Sequence, residues 1–186
     1  VKNVSGYDMA KLHIGGFGTL GIIAEVSFKL TPLPHQESTI IASFDQRDYC
    51  TKAGLDIFHS NIMPLALCTF DGAINRKSQC VDTSRDSLLA IKLGGRPLTM
   101  ERQIRECSAI CHDAEAKSLD VVSGTSEPEL WRKLSDFGWT ENTTPSIACR
   151  ISIQPSSIAT LVDDLVMKYG HQLALITDPG YGTVLA

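Results

Sequence analysis

Gly15-Gly16-Phe17-Gly18-Thr19-Leu20-Gly21, continued by Ile22-Ile23-Ala24-Glu25-Val26-Ser27-Phe28-Lys29-Leu30, is the stretch that decides how this chain is read. Gly16, Gly18 and Gly21 spell G-x-G-x-x-G, a pattern that marks a dinucleotide site only when it follows a strand and opens a helix. Here Ile22, Ala24, Val26, Phe28 and Leu30 are apolar, Glu25, Ser27 and Lys29 are polar, and Ile23 alone breaks the alternation. That period of two predicts a strand over residues 21–30, closed by Pro32 and Pro34. The Rossmann arrangement, which needs a helix N-terminus facing a pyrophosphate, is therefore excluded. A glycine bend can bring backbone close to a ligand, and its amides can hold an anion. A tight turn that binds nothing has the same residues, and the pattern alone leaves the two open.

Composition narrows the rest. The chain has 186 residues, 43% hydrophobic and 20% charged, with net charge −4, which is an ordinary globular balance without the basic patch of a nucleic-acid binder. No apolar run reaches the ~18 residues of a membrane span. Six cysteines stand at 50, 68, 80, 107, 111 and 149. Cys50, Cys107 and Cys111 fall on apolar helical faces, and Cys68 and Cys149 in expected strands. With no secretory leader read, buried thiols in a reducing cytoplasm are expected rather than disulfides. Cys107 and Cys111 lie one helical turn apart beside His112, but no further ligand is spaced to join them, so no metal is expected.

Further along, residues 31–34 (Thr-Pro-Leu-Pro) form a stiff linker and the expected domain boundary. Residues 38–44 read as a strand, and Asp45 as the cap of a helix with Tyr49, Cys50, Ala53, Ile57 and Phe58 inward. Strands follow at 64–70 and 87–93, separated by the Asp71-Gly72 turn and a polar loop over 75–86; Gly94-Gly95 is a turn. A helix over 99–114 turns Ile104, Cys107, Ile110 and Cys111 inward. Residues 119–122 make a short strand. Ser126, Pro128 and Glu129 start a helix in the capping pattern, with Leu130, Trp131, Leu134 and Phe137 inward. Residues 138–145 form a polar loop. Residues 147–153 alternate as a strand with Ile147, Cys149, Ile151 and Ile153 on one side. A last helix from Pro155 carries Ile158, Leu161, Val162, Leu165 and Val166 and ends at Gly170. Residues 172–176 form a strand, and Asp178-Pro179-Gly180 a turn. This β-α-β-β-α-β order, then a helix and β-α-β, predicts an α+β domain of the ferredoxin-like kind: one antiparallel sheet with helices on one face.

Lys2-Asn3-Val4-Ser5-Gly6-Tyr7-Asp8-Met9, followed by Lys11-Leu12-His13-Ile14 and the glycine bend to Ile23, resembles the vanillyl-alcohol-oxidase/PCMH-type flavoproteins, and among them the glycolate oxidase and D-lactate dehydrogenase branch of FAD-linked oxidases. Met9 stands where that family has Leu, and Gly16 where it has Ser. Arg150-Ile151-Ser152-Ile153 and Asp178-Pro179-Gly180 resemble the E subunit of glycolate oxidase. The resemblance implies that residues 1–34 end a PCMH-type FAD-binding domain, and that residues 35–186 are a ferredoxin-like cap or substrate domain. It implies FAD as cofactor, with contacts from Asn3, Gly6, Tyr7, Gly15, Gly18, Thr19, Gly21, Ile22 and Ile23. It also implies partner oxidase subunits, including an iron–sulfur subunit, and oxidation of a 2-hydroxy acid of the glycolate or D-lactate type to a 2-oxo acid. In that family a half-domain with the main phosphate loop precedes this segment, so the isolated chain is expected to be colourless and inactive.

No Ser/His/Asp or Cys/His pair announces a nucleophile, and no catalytic residue is assigned. His13, just before the glycines, is read as a surface or core histidine with a flavin neighbour as the alternative, Asp71 and Asp178 as turn formers, and Trp131 as core. A flavin enzyme needs from its protein mainly binding, orientation and electrostatics, so this silence is compatible with the resemblance. The competing reading is a non-catalytic α+β association module that binds no FAD. In either case apolar surface near residues 22–30 is expected to drive self-association into homo-oligomers.

Overall fold

β-branched and leucine-rich residues fill β1 (Gln36–Phe44) and β3 (Ser87–Gly95), which pair antiparallel along their whole length. This computed structural model describes residues 9–72, 74, 87–136, 147–170 and 173–186. Their alternation sends Ile40, Ala42, Phe44, Leu89, Ile91 and Leu93 to one face of the sheet, and Ile41, Leu88 and Ala90 to the other. All nine are buried, so both faces are covered. Each fully buried Ile, Leu or Phe contributes about 1.5–3 kcal/mol.

Two compact units divide the chain, Val1–Leu33 and Pro34–Ala186. In the second, β1, α2 (Arg47–His59), β2 (Ala66–Asp71), β3, α3 (Pro97–Asp113) and β4 (Ser118–Ser123) follow one another. The sheet order is β4-β1-β3-β2, all antiparallel, which is the split β-α-β order expected from the sequence. Three short strands extend it beyond β2: β6 (Ile176–Asp178), β7 (Thr183–Leu185) and β5 (Arg150–Ser152), giving seven strands in all.

Helices α2 and α3 cover the first face through Cys50, Ala53, Ile57, Met100, Cys107 and Cys111. Helix α4 (Ser126–Ser135) lies on the second face, where Leu130 and Leu134 join Ile41, Phe70, Leu88 and Ala90. The expectation of helices on one face thus holds for α2 and α3, while α4 covers part of the other. Helix α5 (Ile158–Tyr169) packs Ile158 and Val162 on Leu175 and Val184 of the extension. An Arg47–Asp163 ion pair at 3.5 Å joins α5 to α2.

Asp71 fastens the extension to the four-stranded part of the sheet. Its Oδ1 accepts the Ile74 amide and its Oδ2 the Leu175 amide, each at 3.0 Å, and its own amide donates to the Leu175 carbonyl. Thr69 and Thr177 add a buried hydroxyl pair at 2.5 Å across β2 and β6. The hairpin between β6 and β7 turns on Asp178, whose Oδ1 accepts the Gly180 and Tyr181 amides. That turn seats on α2 so closely that a Cβ on Gly54 would come 2.7 Å from the Pro179 ring.

Several expectations need correction. Residues 21–30 form no strand; a ladder requires a partner, and none among the described residues supplies one. Asp45 is not the N-cap residue of α2. The N-cap is Gln46, without a side-chain bond, and Asp45 instead pairs with Lys117 at 3.8 Å. Ser126 is already inside α4, whose N-cap, Thr125, also makes no side-chain bond. Strand β5 is Arg150–Ser152, and although Cys149 continues the backbone pairing through Ala186, the side chains of Ile147 and Cys149 are exposed. Strand β6 begins at Ile176 rather than 172 and takes in Asp178. Cys50, Cys68, Cys107 and Cys111 are buried and in no disulfide, as expected. Burial and neighbouring groups push the Cys50 thiol well up, and burial first of all raises Cys107 and Cys111 to about 12. Cys80, Phe137 and the loops over 75–86 and 138–145 fall in whole or main part outside the described residues.

Candidate functional site

The first unit is described from α1 (Met9–His13), a single helical turn with basic Lys11 and His13 at its end. The chain leaves it through glycines that no side chain could replace without strain. Gly15 and Gly18 have φ of +77° and +75°, the left-handed region where a Cβ is penalised. Phe17 shares that region at +50° and is almost wholly exposed. The bend is tied by two amides: Gly16 donates to the His13 carbonyl at 3.1 Å, and Thr19 to the Gly16 carbonyl at 2.9 Å. The Thr19 hydroxyl donates to the same carbonyl at 2.7 Å.

This folding-back leaves a hollow of about 280 Å³, lined by His13, Gly16, Gly18, Leu20, Gly21, Ile22 and Ile23. The amides of Gly18, Gly21, Ile22 and Ile23 donate to no carbonyl among the described residues. The hollow thus offers main-chain donors beside the apolar walls of Leu20, Ile22 and Ile23. Its size is just short of a small-molecule pocket, about 300–1,000 Å³, so it suits one portion of a large ligand. Ile22 is 96% exposed, and the bend is not sealed into a core.

Of the residues that the sequence singled out, Gly18, Gly21, Ile22 and Ile23 meet around the hollow. Gly15 and Thr19 shape the bend without lining it. Asn3, Gly6 and Tyr7 lie outside the described residues. His13, Gly16 and Leu20 also line it. His13 gave a signal in its place just before the glycines, but its ring meets the site only because the bend brings Gly21 back to it, a Cβ on Gly21 standing 3.4 Å from His13 Cε1. Among the described residues no group of three or more His, Cys, Asp or Glu could hold a metal, and no helix is long and apolar enough to cross a membrane.

No protein-family model matches the chain. Its fold is shared with solved structures of alkyldihydroxyacetonephosphate synthase: one gives a TM-score of 0.75 at 16% identity, over 100% of this chain and 42% of the other. In sequence, the D subunit of glycolate oxidase from Bacillus subtilis (strain 168) is 28% identical over 202 aligned positions, 98% of this chain and 41% of that protein. The E subunit of glycolate oxidase from Escherichia coli (strain K12) is 32% identical over 77 positions, 40% of this chain and 21% of that one. A D-lactate dehydrogenase of Anaerostipes hadrus is 35% identical over 66 positions, 36% of this chain and 14% of the enzyme. The chain spans less than half the length of each of these relatives. In sequence it is therefore similar to glycolate oxidase and D-lactate dehydrogenase polypeptides, the names expected from the residues up to Ile23.

Proposed function

We propose that residues 1–34 form one wall of an FAD site in a 2-hydroxy-acid oxidoreductase of the glycolate or D-lactate type, and that residues 35–186 are its cap domain. The observation that carries this reading is the open hollow at the glycine bend, lined by amides that donate to no carbonyl among the described residues, in a chain aligned over 98% of its length with a glycolate oxidase subunit. The residues fit part of a flavin nucleotide. Gly18 and Gly21 present amides at positions where a side chain would obstruct approach, and Leu20, Ile22 and Ile23 give an exposed apolar wall for a ring to pack on. Asn3, Gly6 and Tyr7 are assigned to the same site by resemblance. When bound, FAD supplies the redox chemistry; the chain's own residues bind and orient it. Other oxidase subunits, an iron–sulfur subunit among them, complete the assembly in this reading, in keeping with relatives that are themselves named as subunits.

Titrating the chain with FAD, followed by quenching of flavin fluorescence, tests the proposal. Weak but saturable binding is expected, too loose to leave the purified chain coloured, and weakened further at least about tenfold by Gly18→Val, since a β-branched residue is an outlier at φ +75°. Absence of binding, or binding indifferent to Gly18→Val, would favour the association module instead. The exposed apolar row of Ile22, Phe28 and Leu30 is the observation on that side, and its own signature is self-association in light scattering.

A further inference from the structure

The second face of the sheet carries a polar cluster that the flavin reading does not use. Glu127, in the first turn of α4, is 1% exposed. The fully buried Thr39 hydroxyl donates to its Oε1 at 2.8 Å, and Lys92 Nζ stands 3.4 Å from the same atom. Lys92 also meets Glu37 Oε2 at 2.8 Å. Trp131 Nε1, one turn further along α4, donates to Thr39 Oγ1 at 2.7 Å. Burial alone would lower Lys92, but its hydrogen bond to Glu37 and the charges of Glu127 and Glu37 outweigh this and raise it, so the ammonium is held. Thr39 and Lys92 are direct cross-strand neighbours on β1 and β3, which fixes the geometry of the receiving surface.

The apolar grip of α4 is narrow, consisting of Leu130 and Leu134 with half-buried Trp131. Leucines on a flat sheet resist sliding poorly, whereas hydrogen bonds to a buried carboxylate are directional. Gly124, at φ +70° with open space around it, joins β4 to α4. We propose that Lys92, seated between Glu127 and Glu37, is a latch that holds α4 in one register on the second face of the sheet, with Gly124 as its hinge. Unlatched, α4 swings away and uncovers Ile41, Leu88 and Ala90.

Native-state hydrogen exchange on the full chain tests this through a double-mutant cycle. In Lys92→Met, amides of α4 are expected to exchange at least about tenfold faster, while those of α2 and β1 stay within about threefold, because a buried carboxylate left unpaired is released locally. Glu127→Gln keeps an acceptor for Thr39 and removes the charge that Lys92 answers, so in that background Lys92→Met should change α4 exchange less than about threefold. Faster exchange shared equally by α2 and β1, no change in α4, or the same effect of Lys92→Met in both backgrounds would overturn the proposal.

Discussion

Replacing Asp71 separates two effects that the structure makes unequal. Its carboxylate accepts two amides, one from each oxygen, and so spans the end of β2 and the residue before β6. In Asp71→Asn one oxygen remains and the other becomes an amino group facing an N–H. One charge-assisted bond is lost and one donor stranded, at about 1.5–3 kcal/mol. In Asp71→Ala both amides lose their acceptor. The site is only partly buried, so water recovers some of the loss, and the cost is about 2–4 kcal/mol. At roughly 2–4 °C per kcal/mol for a domain of this size, the melting point falls by about 4–16 °C. Urea unfolding followed by circular dichroism measures both variants, and the slope against urea should not change, since the surface exposed on unfolding is the same. A loss below about 0.5 kcal/mol in Asp71→Asn, or an alanine variant no weaker than the asparagine one, would refute the assignment of Asp71 as the fastener of the extension.

Two other outcomes follow from the cores and the thiols. A chain cut to residues 34–186 should fold and melt within about 2 °C of the full chain, because all three buried clusters draw their residues from Ile40 onward; calorimetry on the truncated chain checks this. Among the described cysteines, exposed Cys149 should react with a thiol reagent in the native protein at neutral pH, while Cys107 and Cys111 stay inert. Folding raises the last two from 9.0 to about 12, so their contribution is intact below about pH 9, and stability falls between pH 9 and 12 as the unfolded chain releases protons first. Denaturant melts at stepped pH follow that decline.

Much of the sheet was written locally. β1 and β3 announce themselves through their apolar runs at 40–44 and 88–93, although Gly94 and Gly95, expected as a turn, are paired with Glu37 and Gln36 as the end of β3, and α2, α3 and α5 through apolar residues at helical spacing. What failed depended on partners distant in sequence. The alternation of residues 22–30 is real, but alternation makes a strand only beside another strand. Asp45 has the chemistry of a cap, yet Lys117 takes it instead. Ser126, Pro128 and Glu129 read as a helix start, but the burial of Glu127 among them against Thr39, 88 residues away, has no local signature. At the candidate site the glycines were legible because positive φ leaves a mark in composition, whereas the place of His13 on the hollow depends on how the bend closes.

The seam between β2 and β6 joins Thr69 to Thr177, residues 108 apart, whereas the Ser43–Ser118 pair of β1 and β4 closes a span of 75. Pairings so remote in sequence form slowly. During synthesis β1 to β4 can assemble well before the last strands emerge from the ribosome. Throughout that interval β2 is a bare edge, able to recruit a strand from a neighbouring nascent chain. The later β6, β7 and β5 reach β2, the longer that edge stays open to such pairing.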